Sequence, residues 1–306
     1  MKIFETENDI KDNCLNAKGL NLVPTMGNLH KGHLSLIEEA KNYNGKTIVS
    51  IFINPLQFGP NEDFKNYPRT VVSDIKKLKK IDCDYAFIPQ DNFAQELELI
   101  KAPSISKKLC GKDRPGHFDG VLTIINKIFS VILPTKAFFG LKDYQQFILI
   151  KEFAKINFPD IQIFGLPIIR EKDGLAMSSR NNLLTKDERK VAPLIFESLT
   201  WIKKNINKRS NEDLIKFSTE NLRKNNFEID YLGIYDISSL KEINNFKESA
   251  LIAVAVKLGN VRLIDNIIIT NDNTWCLYSA TKARVRNVKS PKSIIIMTNF
   301  INLWWS

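Results

Sequence analysis

Short apolar, β-branched runs alternate with stretches of helical spacing through the first half of the chain. Leu20 to Val23, Thr47 to Ile53, Tyr85 to Ile88, Ala137 to Phe139 and Ile161 to Leu166 read as strands. Between them, Leu34 to Tyr43, Val71 to Ile81, Gly120 to Leu133 and Tyr144 to Asn157 have the length and period of helices. Strands that are apolar on both faces and separated by helices predict a parallel sheet covered on both sides. Ligands of such doubly wound folds settle at the carboxyl ends of the strands. The texture changes after about Met177, where helical stretches over Lys186 to Ile206 and Asn211 to Lys224 precede three β-rich runs. Those runs are Ile229 to Tyr235, Ala250 to Leu258 and Val261 to Ile264. The expected architecture is α/β: a doubly wound, Rossmann-like nucleotide-binding domain over residues 1–176 and a smaller α+β C-terminal domain over 177–270. Residues 271–306 form a polar, then basic tail with no period that assigns it a fold.

Composition narrows the class without changing this picture. Of 306 residues, 43% are apolar and 25% charged, which is a globular balance and predicts a sizeable core. The N-terminus MKIFETENDI lacks the apolar run of a secretory signal. The apolar run in the tail, Ile294 to Met297, falls far short of the roughly 20 residues of a membrane span. Cys14, Cys83, Cys110 and Cys276 are isolated from one another, form no CxxC pair and read as buried reduced thiols of a cytoplasmic protein. The net charge of +10 fits nucleic acid, an anionic surface or small anionic substrates equally. Its one dense run, Lys76, Lys77, Lys79 and Lys80, fits the solvated face of a helix that buries Ile75, Leu78 and Ile81.

The chemistry concentrates in two places. His30 and His33, two of only three histidines, follow the first expected strand and the turn Pro24 to Gly27, and open a helix. At that spacing the imidazoles share one face, and a helix N-terminus offers unpaired N–H groups to an anion. Gly32 between them lets a phosphate approach the backbone. Imidazoles so placed stabilise charge on a transferring phosphoryl group, although HxGH alone also fits two histidines that cap or pack. Further on, Met177, Ser178, Ser179, Arg180 and Asn181 form a donor-rich loop suited to triphosphate oxygens, or an ordinary polar linker if read alone.

Taken together, HxGH and the later hydroxyl-and-arginine loop resemble the signatures of the adenylyl-transferring superfamily. Longer segments make the resemblance specific: PTMGNLHKGHLSL, Val49 to Thr70, GKDRPGHFDGV from Gly111, FGLKDYQQ from Phe139, IREKDGLAMSSRN, and RLIDN over Arg262 to Asn266. Across Leu20 to Asn266 the chain resembles the pantoate–β-alanine ligases. That resemblance implies an enzyme that condenses pantoate with β-alanine through a pantoyl adenylate, consuming ATP with Mg2+ and releasing pyrophosphate and AMP.

It also implies site residues. Met26, Gly27, Asn28, Leu29, His30, Lys31, Gly32 and His33 would line the ATP site, with His33 and His30 catalytic. Gly140, Leu141, Lys142 and Asp143 would touch the nucleotide, Lys142 as a catalytic cation for the phosphates. Ile169 would lie on the adenine side, and Met177, Ser178, Ser179 and Arg180 on the triphosphate, Arg180 again catalytic. Gln57 and Gln146 would hydrogen-bond pantoate, Gln57 serving β-alanine too, while Arg114 and His117 would border that pocket or pin its loop. The metal ligands are unknown. A homodimer formed through the first domain is implied by the family alone. The chain departs from the family at Leu141, where Glu is usual, and in the tail, which holds no site candidate and is expected to be dispensable for the chemistry. Two rivals remain at this level: a nucleotidyltransferase acting on a phosphate acceptor, and an RNA-binding relative of the tRNA synthetases. The first needs a basic acceptor pocket where Gln57 and Gln146 stand, and the second needs basic residues interleaved with aromatics, which the lysines do not provide.

Overall fold

The computed structural model describes residues 1–14, 19–60, 62–246 and 248–270. In chain order the first half runs β1 (Lys2–Phe4), α1 (Glu7–Cys14), β2 (Leu20–Thr25), α2 (Lys31–Lys41), β3 (Lys46–Ile51), α3 (Val71–Lys80) and β4 (Tyr85–Phe87). It continues through α4 (Cys110–Asp113), α5 (His117–Ile132), β5 (Lys136–Gly140), α6 (Tyr144–Asn157) and β6 (Gln162–Leu166). These six strands form one parallel sheet in the order β1-β4-β3-β2-β5-β6. The chain builds outward from β2 through β3 to β4, then crosses to the other side for β5 and β6. The direction therefore switches between β2 and β5, and a crevice opens beyond their carboxyl ends.

Burial explains why these runs became strands. Leu22, Val23, Ile48, Val49, Ala86, Phe87, Ala137 and Phe138 are essentially inaccessible, with successive residues of each strand packed on opposite faces. Alternation is missing from the sequence for that reason: neither face meets water. α5 runs across one face with most of its length buried. Gly120 in its first turn packs so closely on the chain at 55–57 that an added Cβ would lie 2.0 Å from the Leu56 carbonyl oxygen. Asn54 Nδ2 fixes the same contact by donating to the Gly120 carbonyl at 3.0 Å.

The second half comprises α7 (Lys186–Val191), α8 (Leu194–Asn205), α9 (Asn211–Lys224), β7 (Phe227–Tyr235), β8 (Ser249–Leu258) and β9 (Val261–Thr270). The three strands form an antiparallel sheet in the order β7-β8-β9 and share a separate core with α8 and α9. One expected helix over Lys186 to Ile206 is in fact two. Pro193 has no N–H to continue a helix, so the chain restarts at Leu194 with Pro193 as its N-cap. β9 continues to Thr270, well past the expected Ile264, because Asn266 and Asp265 are buried despite their polarity. β1 and α1 were absent from the expectation. A three-residue edge strand carries too little pattern to be seen, and pairs with β4 at Lys2 to Phe4.

Among the lysines of α3, Lys76, Lys79 and Lys80 are exposed as expected, but Lys77 is half-buried and donates to the Leu29 carbonyl at 2.6 Å. Cys14, Cys83 and Cys110 are buried free thiols. Cys276 and the tail at 271–306, including Trp304 and Trp305, lie outside the described residues.

Candidate active site

The crevice at the switch point is a cavity of about 250 Å3. Its walls bring together segments far apart in sequence: Met26, His30, Gly32 and His33 from the end of β2 and start of α2, and Gln57 from the turn after β3. Gly140, Lys142, Asp143 and Gln146 enter from the turn into α6, and Ile169 and Met177 to Arg180 from the chain after β6. It shares Gln57, Arg114, His117, Lys142, Gln146 and Arg180 with a cleft of about 1180 Å3 between the two sheets. The two spaces together exceed the roughly 300–1,000 Å3 of an ordinary small-molecule site and accommodate more than one ligand.

The histidines are both caps and donors. His30 is the N-cap of α2; its Nδ1 accepts the Gly32 N–H at 3.1 Å, and His33 Nδ1 accepts the His30 N–H at 3.3 Å. A ring nitrogen that accepts an N–H bond carries no proton, so each neutral imidazole holds its proton on Nε2. The capping bonds thereby set two Nε2–H donors at the cavity wall, with ring centroids 4.0 Å apart. Burial, then the charge of Lys142, lowers the pKa of His30 to about 4; burial, then His30 itself, lowers that of His33 to about 3. Both rings are therefore neutral near pH 7.

Gly32 has a second reason to be glycine. A Cβ there would meet His30 Cε1 and Nδ1 at 2.9 Å, so the missing side chain admits the His30 cap as well as any phosphate.

The turn before α2 is held from outside. Asp74, fully buried on α3, accepts the N–H groups of Asn28 and Leu29 at 2.8 Å each and the Thr70 hydroxyl at 2.9 Å. Gly27, Asn28, Leu29 and Lys31 do not line the cavity: Leu29 is core, Lys31 faces solvent, and Gly27 and Asn28 form the turn that aims the histidines. Asp74 was invisible in the sequence because one acid among the lysines of α3 has no local signature. Asn54 was missed too. Its Nδ2 donates to Gln57 Oε1 at 3.1 Å, which turns the Gln57 amide nitrogen away from it, toward Met26 Sδ at 3.1 Å.

His117 both lines the cavity and pins the chain at Gln57. Arg114 Nη1 donates to its Nε2 at 3.0 Å, so the ring proton sits on Nδ1 and is donated to the Gln57 carbonyl at 2.8 Å. Arg114 also donates through Nε to Glu62 at 2.7 Å, fastening the chain after Gln57. Burial, then the Arg114 charge, lowers the His117 pKa to about 4. Gln145 and Gln146 are neighbours with separate tasks: Gln145 Nε2 donates to the Ile105 and Lys108 carbonyls at 3.0 and 2.7 Å, whereas Gln146 is half-buried on the cavity wall.

Besides Arg114, two cations line the cavity. Lys142 Nζ lies 3.8 Å from Asp143 Oδ1, and the Leu141 side chain is 7% exposed, packed where an added Cβ at Gly165 would strike it at 2.6 Å. A leucine at 141 thus serves the core and leaves Lys142 with an acidic neighbour. Arg180 makes a forked ion pair with Asp63 at 2.9 and 3.1 Å, while Ser179 Oγ donates to the Asn28 carbonyl at 3.4 Å. Burial works against the Arg180 charge, but the Asp63 bonds outweigh it and raise the pKa further. These contacts close the loop after β6 onto the turn before α2 and onto the chain between β3 and α3.

Because the three histidines titrate far below their usual value, stability should carry their signature. In the unfolded chain each binds a proton near pH 6.5, whereas the folded chain does not until about pH 4 or below. Histidine therefore contributes almost no pH dependence above about pH 7.5. Stability should fall as the pH drops from 6.5 toward 4, with uptake of roughly three protons on unfolding. Urea midpoints across pH 4–8 measure this, and a loss beginning only below pH 4.5 would contradict neutral buried rings.

Comparison with known proteins agrees with this geometry. The family model described as pantoate-beta-alanine ligase matches residues 2–268. The pantothenate synthetase of Thermosipho africanus is 42% identical over 276 residues, covering 88% of this chain and 98% of that protein. That of Staphylococcus epidermidis is 41% identical over 277 residues, covering 88% and 96%. The crystal structure of pantothenate synthetase from Thermus thermophilus superposes with a TM-score of 0.84 at 34% identity, covering 87% of this chain and 99% of that one. A pantoate-beta-alanine ligase from Francisella tularensis, complexed with beta-gamma ATP and beta-alanine, superposes at 0.74 and 34% identity, covering 88% and 97%. With a family model spanning nearly the whole described chain, and relatives matched along almost their full length, this chain belongs to the pantoate–β-alanine ligase family.

Proposed function

We propose a division of labour among the residues of this site for the reaction that family membership assigns, the ATP-dependent condensation of pantoate with β-alanine. The observation that carries it is the convergence of two neutral Nε2–H donors, the cations Lys142 and Arg180, and two glutamines on one cavity at the switch point. In the first half-reaction a carboxylate oxygen of pantoate forms a bond to the α-phosphorus of ATP, and the bond to the pyrophosphate oxygen breaks. His30 and His33, with the N-terminus of α2, donate to the phosphoryl oxygens as charge grows on them. Lys142 and Arg180 hold the phosphates of the leaving pyrophosphate, Arg180 being released from Asp63 to do so. Met26, Gly140, Asp143, Ile169 and Met177 to Ser179 enclose the nucleotide.

Gln57 and Gln146 hold pantoate. An amide presents a donor and an acceptor to a hydroxy acid at any working pH, and Asn54 and His117 keep Gln57 in place. In the second half-reaction the β-alanine amine attacks the acyl carbon, and AMP leaves with the bonding electrons. The cleft between the sheets gives the amine its approach past Gln57.

Among the described residues no group of three or more His, Cys, Asp or Glu side chains forms a cation cage. Mg2+ fits as the companion of the ATP phosphates, with Asp143 the carboxylate on that wall, and supplies charge neutralisation there. The same reading expects a homodimer joined through the six-stranded domain and a cytoplasmic enzyme, a setting in which the three buried thiols stay reduced.

Gln57→Ala and Gln146→Ala should each weaken pantoate binding by about 1–3 kcal/mol, roughly 5- to 150-fold, and leave ATP binding within twofold. Titration calorimetry with each ligand alone tests the assignment. Equal losses for ATP and pantoate would remove these glutamines from the pantoate site.

A further inference from the structure

Two matched segments, RLIDN on β9 and the arginine of IREKDG, hold no residue used above, yet they meet in one buried cluster. Asp265 is 3% exposed and Asn266 5% exposed, although both belong to a strand of the second sheet. Arg170 Nη1 donates to Asp265 Oδ2 at 2.6 Å and Nη2 to Asp265 Oδ1 at 2.9 Å, a two-point pairing that fixes both partners. The same guanidinium donates to the Gly174 carbonyl at 3.0 Å and the Asn266 carbonyl at 3.2 Å, and stacks 3.8 Å above the Phe196 ring. Asp265 Oδ1 also accepts the Asn266 N–H at 2.7 Å. Asn266 is thus held by its backbone on both sides.

Its side chain points at the nucleotide site. Asn266 Nδ2 donates to the Leu141 carbonyl at 2.9 Å and the Lys142 carbonyl at 3.0 Å. One amide nitrogen has two protons, and here each meets one carbonyl of the turn that carries Lys142. At the other end of the cluster, Arg170 and Ala176 close a short hairpin whose flanks, Ile169 and Met177, are bonded N–H to carbonyl at 2.9 Å and form another wall of the cavity.

We propose that Asn266, anchored by the Arg170–Asp265 pair, is a positioning residue for Lys142, so that the second sheet holds the phosphate-side turn and the Ile169–Met177 wall in one register. The proposal rests on the phosphate-binding role given to Lys142 above. Asn266 is not among the residues lining the phosphate-side cavity; it acts on that cavity through two carbonyls. Asn266→Asp keeps the shape but turns a carboxylate oxygen toward those carbonyls, which repels the turn and displaces Lys142. A displacement on the order of 1 Å costs about 10- to 100-fold in a positioned step.

The two half-reactions separate positioning from general damage. Pyrophosphate release from ATP and pantoate reads the first; AMP release from synthetic pantoyl adenylate and β-alanine reads the second, where no β- or γ-phosphate is bound. Asn266→Asp should lose about tenfold or more in the first and stay within twofold in the second. Added to Lys142→Ala, it should cause no further loss, since effects through a shared residue do not add. Should Asn266→Asp fail to fold, Asn266→Ser, which deletes the amide pair without adding charge, is measured the same way. Equal losses in both half-reactions, or full additivity with Lys142→Ala, would overturn the proposal. If Lys142→Ala itself keeps its pyrophosphate release, the role given to Lys142 fails and the proposal with it; if only the Asn266 variants are unaffected, the proposal alone fails.

Discussion

His33→Ala is expected to slow pyrophosphate release from ATP and pantoate by about 10²-fold or more while the fold survives, the usual consequence of removing one transition-state donor from a preorganised site. The expectation comes from the bonding of the ring. Its Nδ1 is occupied by the His30 N–H, so Nε2–H is left for the phosphoryl oxygens. His33→Asn or His33→Gln, which keep an N–H donor at shorter or longer reach, should recover part of the rate. The capping bond that alanine also removes is worth about 1 kcal/mol of stability, so the melt should move little against the loss of rate. A folded His33→Ala protein with near-normal single-turnover rates would contradict the role. The low pKa values sharpen the test: neither histidine should produce an inflection between pH 5.5 and 8 in the first half-reaction, because both donors are neutral throughout.

Asp74→Ala should have the largest effect on stability, and should disable the chemistry without altering any cavity-lining residue. One fully buried carboxylate satisfies two backbone N–H groups and the Thr70 hydroxyl, with the Lys77 ammonium 3.7 Å away. Alanine leaves these donors buried and unpaired at about 1–3 kcal/mol each, of which relaxation recovers a part. A net loss of about 3 kcal/mol corresponds to a fall in melting temperature of roughly 4–6 °C for a chain of 306 residues. The turn at Gly27 to Leu29 would lose its anchor, and adenylate formation should drop by about tenfold or more even well below the melting temperature. Asp74→Asn keeps the shape and one acceptor oxygen, so its losses should be intermediate. An Asp74→Ala enzyme with an unchanged melt would mean that the turn holds itself.

The parallel sheet was legible because strands buried on both faces write continuous apolar runs, as at Thr47 to Ile53, and the helices between them keep their period. The helix break at Pro193 was legible in principle; the apolar spacing on either side of it masked one residue without an N–H. β1 was not legible, since three edge residues carry no period. Within the site, the pattern at His30 and His33 marks a helix start from sequence alone. That both imidazoles cap the helix and therefore donate through Nε2 depends on distances of a few tenths of an ångström, which no spacing encodes. Asp74, Asn54 and Asn266 escaped for a shared reason: each acts on backbone groups far away in sequence, 45, 66 and 125 residues distant, and none resembles a motif by itself. Gln57 and Gln146 were named through the family resemblance alone; the residues by themselves give no reason to separate Gln146 from Gln145.

What ATP becomes distinguishes a ligase that works through an adenylate from one that works through a phosphorylated acid. With purified enzyme, AMP, ADP and pyrophosphate are quantified by phosphorus NMR in mixtures lacking each substrate in turn. ATP with pantoate alone should give pyrophosphate stoichiometric with enzyme and no free AMP, and adding β-alanine should release AMP and pantothenate in equal amounts over many turnovers. ADP and inorganic phosphate in place of AMP and pyrophosphate, or AMP formed without pantoate, would contradict a ligase that works through pantoyl adenylate.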